Sequence, residues 1–344
     1  MQRARVPLIA SLDPSLSPAS SAMDKMKSLP ANTAVVFIKP HAVTQATVTL
    51  VKEHLTAAGI TITWEAKISS EEIEAKGLID AHYGTLAELA MLTDPKELGV
   101  ALSDSVLNQF ELTFGVPWES APLRRNGDAA AELGGLSGEE LETQWRRGPF
   151  VKLAPGAYVA RLVGDEIPGL PQSDRPITLN GFYPAMREHF LAPGSFVYCF
   201  QVSWNEVALS WSTFRQKIIG ATDPARAESG SLRAAILANW NVLGLSNAPS
   251  MALNGVHASA GPLEGLKERT IWCGLEEIAD DPFGAALLQC DDRIDVTLLK
   301  QWMSNPVVTS SSSPFPVTDK IFDITEELDS SEVLNLAPGF TRVA

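Results

Sequence analysis

The chain has 344 residues, 45% of them apolar and 20% charged, with a formal net charge of −14. That length supports one large or two ordinary domains around a real core. The acidic balance argues against a nucleic-acid surface or an anionic membrane surface, both of which want clustered Lys and Arg, and no apolar run approaches the ~18 residues of a spanning helix. Cys199, Cys273 and Cys290 are far apart and odd in number, so neither a disulfide framework nor a zinc site is expected. A reducing, cytoplasmic compartment fits best.

In chain order, residues 1–32 read as a disordered N-terminal tail. Arg3, Arg5 and the serines of SLDPSLSPASS allow a transit peptide as the other reading, but the apolar stretch is too short for a secretory signal. Met23 or Met26 could equally be the functional start. Ala34–Ile38 is a short β-branched apolar run between prolines and reads as a buried strand. Thr44–Ala58 carries Val48, Val51, Leu55 and Ala58 at helical spacing and is closed by Gly59. Ile60–Ala66 alternates as a half-buried strand. Ser69 and Ser70 with Glu72 mark a helix start, and that helix is expected to run over 71–82.

Beyond Tyr83 the pattern degrades. Segment 85–181 is read as an insertion, with helices expected over Pro95–Phe110 and Gly138–Arg146 and a strand over Ala157–Val163. Gly- and Pro-rich stretches lie between them. Order returns with a helix over Tyr183–Leu191, a strand over Phe196–Trp204 and an amphipathic helix over Glu206–Ile219 that ends at Gly220. Pro262–Trp272 reads as the last core helix. Segment 273–344 is read as a C-terminal extension with a short helix at Val296–Met303, flexible Thr309–Ser313, and a further element at Ile321–Leu328.

Asn254-Gly255-Val256-His257-Ala258-Ser259 is the segment richest in chemistry. It sets one of only five histidines between small polar side chains, with Glu268 following on the next helix. An imidazole is largely uncharged and nucleophilic near neutrality, so it can accept and pass on a group. Two further segments accompany it: Ile38-Lys39-Pro40-His41-Ala42-Val43, and Gly220-Ala221-Thr222-Asp223-Pro224 followed by Gly230-Ser231-Leu232-Arg233.

Taken together, in this order and spacing, the three segments resemble the nucleoside diphosphate kinase family over about 33–84 and 182–272. The resemblance implies an α+β fold: a ferredoxin-like antiparallel sheet covered by helices, interrupted by the inserted lobe. It implies transfer of a γ-phosphate from a nucleoside triphosphate to a nucleoside diphosphate through a phosphohistidine at His257. Glu268 would hold the other imidazole nitrogen and Ser259 would support it. Lys39 and Arg233 would clamp phosphate, Thr222 would donate a hydroxyl, and Asn254 would donate to a sugar hydroxyl or phosphate. Tyr83 matches the family's phosphate-side tyrosine and Phe182 its base-stacking aromatic. Magnesium (Mg2+) would arrive on the phosphates, with no metal site on the protein. The implied partners are ATP and other nucleoside di- and triphosphates, with no nucleic acid and no membrane.

Taken singly, these residues have plainer readings. Lys39 is then a strand-end lysine, Thr222-Asp223-Pro224 a turn after a Gly220 cap, and Tyr83 and Phe182 core aromatics. His41, His54, His82 and His189 read as structural or surface residues.

Several positions depart from the family pattern. His41 stands where an acid is usual, Ala258 and Ala260 replace a glycine and an acid beside the histidine, and Gln216 replaces a clamping arginine, with Arg215 adjacent. A second arginine, expected shortly before Phe182, has no counterpart. These departures, the insertion and the extension support an alternative: a catalytically weak or inactive kinase-fold scaffold. Such a protein would be a subunit of a larger assembly, for example in a cilium or organelle, or a homo-oligomer, contacting its partners through 85–181 and 273–344. A third reading is an unrelated α/β binding domain with chance matches.

Overall fold

The computed structural model describes residues 31–98, 102–154, 156–164, 170–311 and 316–343. Nearly all of the expected N-terminal tail lies outside the described residues. The strands in chain order are β1 (Asn32–Ile38), β2 (Thr61–Ser69), β3 (Leu123–Arg124), β4 (Phe150–Ala154), β5 (Ala157–Arg161), β6 (Ile177–Leu179), β7 (Phe196–Trp204), β8 (Val256–Ala258), β9 (Val307–Ser310), β10 (Val317–Lys320) and β11 (Phe340–Arg342). They form three sheets.

The central sheet has the order β2-β7-β1-β8, and every neighbouring pair in it is antiparallel. Helix Gln45–Ala57 joins β1 to β2, and helix Leu232–Asn239 lies between β7 and β8. This is the doubled split β-α-β arrangement of a ferredoxin-like α+β fold. All seven residues of β1 are buried, because helices cover both of its faces. Ala34, Val36 and Ile38 enter one cluster with Val51, Leu55 and Ile236, whereas Val35 and Phe37 enter the opposite cluster with Ile73, Phe190 and Trp272. A strand clad on both sides reads as a continuous apolar run, as Ala34–Ile38 does.

The insertion is a lobe with its own sheet, β3-β6-β5-β4, packed around Phe110, Phe114, Val159 and Ile177. The C-terminal extension builds a third core around Phe283, Leu287, Trp302 and Val333. It takes Leu263 and Leu266 of helix Pro262–Trp272 into that core, so this helix is enclosed on nearly all sides, polar residues included.

Several boundaries differ from expectation for physical reasons. The helix expected over 71–82 is two helices, Ser70–Ala75 and Leu78–Tyr83, separated at Gly77 in the left-handed region (φ +61). Pro95–Phe110 is a single turn, Pro95–Glu97, and a later helix, Asp104–Phe114, that starts where Ser103 caps it. The helix expected from Glu206 begins at Trp211 after a Ser210 cap and widens over Phe214–Ile219. Thr309 and Ser310 belong to β9, while 312–313 fall outside the described residues. Ile321–Leu328 is helical only to Thr325. Among the described residues, no helix is long and apolar enough to cross a membrane.

Candidate active site

His257 sits in β8, directly opposite Phe37 of β1. Paired residues of an antiparallel ladder point to the same face, and the imidazole accordingly stacks on the Phe37 ring, with centroids 4.6 Å apart and planes 23° from parallel. On that same face lies helix Pro262–Trp272. Gly265 lets this helix approach β1, because a Cβ there would stand 3.0 Å from the Thr33 carbonyl oxygen. The close approach brings Glu268 to the imidazole.

The Glu268 carboxylate is 2% exposed and divides its two oxygens. Oε1 lies 2.7 Å from His257 Nε2, and Oε2 accepts the Ser259 hydroxyl at 2.5 Å. Ser259 in turn accepts the Val35 backbone N–H at 2.9 Å, which fixes its rotamer. Burial alone would raise the Glu268 pKa. The His257 interaction, then the His82 ring and the Ser259 hydroxyl, outweigh burial and hold it down at about 2. An ionised carboxylate facing Nε2 puts the imidazole proton on that nitrogen and leaves the Nδ1 lone pair outward. Nδ1 has no hydrogen-bond partner among the described residues.

His82 belongs to this site, although its sequence setting reads as structural or surface. Its ring stands edge-on to His257 with centroids 4.6 Å apart, and its Nδ1 lies 3.4 Å from Glu268 Oε1. Trp272 donates its indole N–H to the same Nδ1 at 3.2 Å. Burial, then the neighbouring His257, pushes the His82 pKa down to about 3, so it is neutral at pH 7. The sequence points instead to the adjacent residue, Tyr83. It packs edge-on to His82, and burial and then Glu268 push its phenol up to about 12. Asp80 anchors this helix to Tyr183–Leu191 by accepting the Tyr183 hydroxyl and a two-pronged Arg187 contact.

The cationic residues converge on the other flank. The Lys39 backbone N–H donates to the Gly255 carbonyl, so the lysine lies where β1 meets the His257 segment. Its Nζ has no partner among the described residues, and burial, then Arg233, lower its pKa to about 8. Arg233 braces the same segment by donating to the carbonyls of Gly220 and Val256. Three of its five N–H groups are engaged in this way.

Asn254 donates one amide N–H to the Thr222 carbonyl at 3.0 Å. Its Oδ1 is buried without a partner. That atom is an acceptor, so Asn254 keeps an open acceptor beside the second N–H of its amide. Thr222 itself is exposed. His41 accepts the Gly255 N–H at 3.1 Å. Burial, then Lys39, lower its pKa to about 4.

Phe182 does not stand free. Its ring meets Trp145 edge-on at 5.4 Å and packs into the insertion's smaller core with Leu133 and Leu141. A cavity of about 440 Å³ opens beside His82, Tyr83 and Glu268 and is bounded by Asn305, Lys320 and Phe322 of the extension. Lys39, Thr222, Asn254 and Arg233 do not line it.

Among the described residues, His82, His257 and Glu268 form the one group of three potential metal ligands. Magnesium prefers six oxygen ligands. Two imidazoles and a carboxylate already bonded to Ser259 and His257 do not fit it.

No family model and no curated relative matches the chain. Solved structures similar to it include an NDP kinase from Pyrobaculum aerophilum, at 16% identity, covering 71% of this chain and 96% of that one, with a TM-score of 0.31. The apo nucleoside diphosphate kinase from Encephalitozoon cuniculi is 13% identical over 79% of this chain and 99% of its own, with a TM-score of 0.32. The Borrelia burgdorferi nucleoside-diphosphate kinase with bound vanadate and ADP is 14% identical over 71% and 88%, with a TM-score of 0.31. Likeness this low assigns neither activity nor ligand to the chain. The ferredoxin-like order of the central sheet stands on its own strand pairing.

Proposed function

We propose that the protein is a phosphotransferase that moves the γ-phosphate of a nucleoside triphosphate to a nucleoside diphosphate through His257. One observation carries this reading: Glu268, braced by Ser259, commits His257 Nε2, Nδ1 has no partner among the described residues, and Lys39 and Arg233 both bond the Gly255–Val256 backbone that leads into His257. A satisfied core histidine would have both ring nitrogens engaged.

In the first half-reaction the Nδ1 lone pair attacks the γ-phosphorus. The bond to the bridging oxygen breaks, and the diphosphate leaves with that electron pair. In the second, a terminal phosphate oxygen of the acceptor attacks the same phosphorus and the P–N bond breaks. The chain's part is positioning and charge neutralisation. Lys39 and the two free N–H groups of Arg233 oppose phosphate charge, and Glu268 stabilises the positive charge that develops on the ring. Magnesium bound to the phosphates would neutralise part of their charge. The Asn254 acceptor would take a ligand hydroxyl.

Conversion of GDP to GTP with ATP·Mg as donor tests this reading on the pure protein. Turnover lost in His257→Ala is the expected outcome, and equal turnover in both proteins would refute it. A second reading, a kinase-fold scaffold without turnover, is favoured by Phe182, whose ring is engaged by Trp145. It predicts nucleotide binding with no GTP formed.

A further inference from the structure

We propose that Glu326 and Glu327 of the C-terminal extension form an internal anion that holds Arg215, which a polyphosphate must displace to use that guanidinium. The proposal rests on the phosphotransferase reading of the site and adds its regulation.

The helix that carries Arg215 is widened at its end: the Gly220 N–H bonds to the Arg215 carbonyl, five residues back rather than four. One extra residue in the turn shifts the register counted back from Gly220. Arg215 therefore takes the helix position that an ordinary α-turn would give to residue 216. Its charge reaches the site, because burial, then Arg215, hold the Arg233 guanidinium down at about 10. Arg233 is the residue that braces Gly220 and Val256, beside His257.

Arg215 is paired with the extension. Glu326 Oε1 lies 3.1 Å from its Nη2 and Glu327 Oε1 lies 4.0 Å from its Nε. Gln216 donates to Glu327 Oε2 at 3.0 Å. The acidic loop is seated on the site's own segment, since the Glu327 N–H donates to the Ala260 carbonyl, one residue past Ser259. Gly261 permits this seat, because a Cβ there would stand 2.6 Å from the Thr325 carbonyl oxygen. Glu327 takes up a left-handed backbone (φ +60), a conformation uncommon without a reason. Two residues on, Asp329 accepts from the Trp211 N–H and the Asn32 amide, both at 2.7 Å. The carboxylates are thus held in place, two acids on a cation next to the proposed phosphate site.

The side chains of Arg215, Glu326 and Glu327 keep 26%, 45% and 31% of their exposure. Ion pairs so open to water are weak and salt-screened, which lets a ligand carrying several negative charges compete. Neutralising acids near an anion site favours the anion by their field alone, so the latch is marked by a gain that depends on Arg215.

The test uses the full chain and calorimetric titration with inorganic tripolyphosphate. In Glu326→Gln/Glu327→Gln, tripolyphosphate should bind about three- to ten-fold more tightly. The gain should vanish in an Arg215→Ala background. Unchanged affinity, no binding by any of the proteins, or the same gain without Arg215 would overturn the proposal. Should the double variant fold poorly, Glu326→Gln alone alters the more exposed carboxylate and reads a smaller gain of the same sign. Phosphorylation of His257 by ATP is scored separately. An affinity gain without phosphorylation refutes the transferase reading alone, and phosphorylation without the gain refutes the latch alone.

Discussion

His82 stands edge-on to His257 at 4.6 Å, and both rings present a nitrogen to the same oxygen of Glu268. The neutral His82 cannot be a second proton source near pH 7, given its pKa of about 3. It fills the wall behind His257 and takes the Trp272 indole N–H. His82→Phe keeps the packing but leaves that N–H without an acceptor. We expect a loss of ~1–3 kcal/mol, read as a lower urea midpoint at unchanged slope.

Glu268→Gln preserves shape and removes the charge. The amide can donate to Nε2 and drive the imidazole proton to Nδ1, the wrong tautomer for attack. Phosphorylation of the histidine should slow by about 10²-fold, measured by single-turnover labelling. A change of less than about three-fold would show that the carboxylate does not set the tautomer.

Acid should destabilise the fold through His41. Its folded pKa, about 4, lies below the ordinary histidine value of 6.5, so between those values the unfolded chain holds a proton that the native state lacks. The stabilisation is present in full above pH 6.5 and is lost as pH falls toward 4, at up to about 1.4 kcal/mol per pH unit. His82 acts in the same sense down to about pH 3. Glu264 acts in the opposite sense, because burial, then Glu268, raise its carboxyl to about 8. The check is therefore a difference: His41→Gln should flatten the pH dependence of unfolding free energy between pH 6.5 and 4. Parallel curves would refute the assignment.

Arg269 and Asp281 form a buried pair, with 2.6 and 2.9 Å contacts and about 1–2% side-chain exposure, and Arg269 also donates to the Thr33 carbonyl. The pair ties the Glu268 helix both to β1 and to the cap of helix Pro282–Cys290, where Asp281 accepts two backbone N–H groups. Asp281→Ala leaves an uncompensated buried guanidinium and should cost ~3–5 kcal/mol. Chemical denaturation reads this directly.

The parts of the core legible in the sequence were those whose periodicity is set by burial. Phe196–Trp204, Tyr183–Leu191 and Pro262–Trp272 occur at the expected bounds. His82 was not legible, because its part in the site rests on contacts with Phe37, His257 and Glu268 that no sequence spacing displays. Spacing offers Arg215 only as the neighbour of Gln216, since it cannot reveal a five-residue turn. The core of the extension is not legible in the sequence, because its strands are four residues or shorter and it borrows Leu263 and Leu266 from another segment. Helix Pro282–Cys290 does carry a sequence signal, Asp281 at the cap followed by proline.

The most direct measurement is chemical identification of phosphate on the protein after incubation with γ-labelled ATP and magnesium. The account predicts an acid-labile, alkali-stable label that maps to the peptide containing His257 and is released as labelled GTP when GDP is added. Label that persists undiminished in His257→Ala, or no label at all on the folded protein, would contradict it.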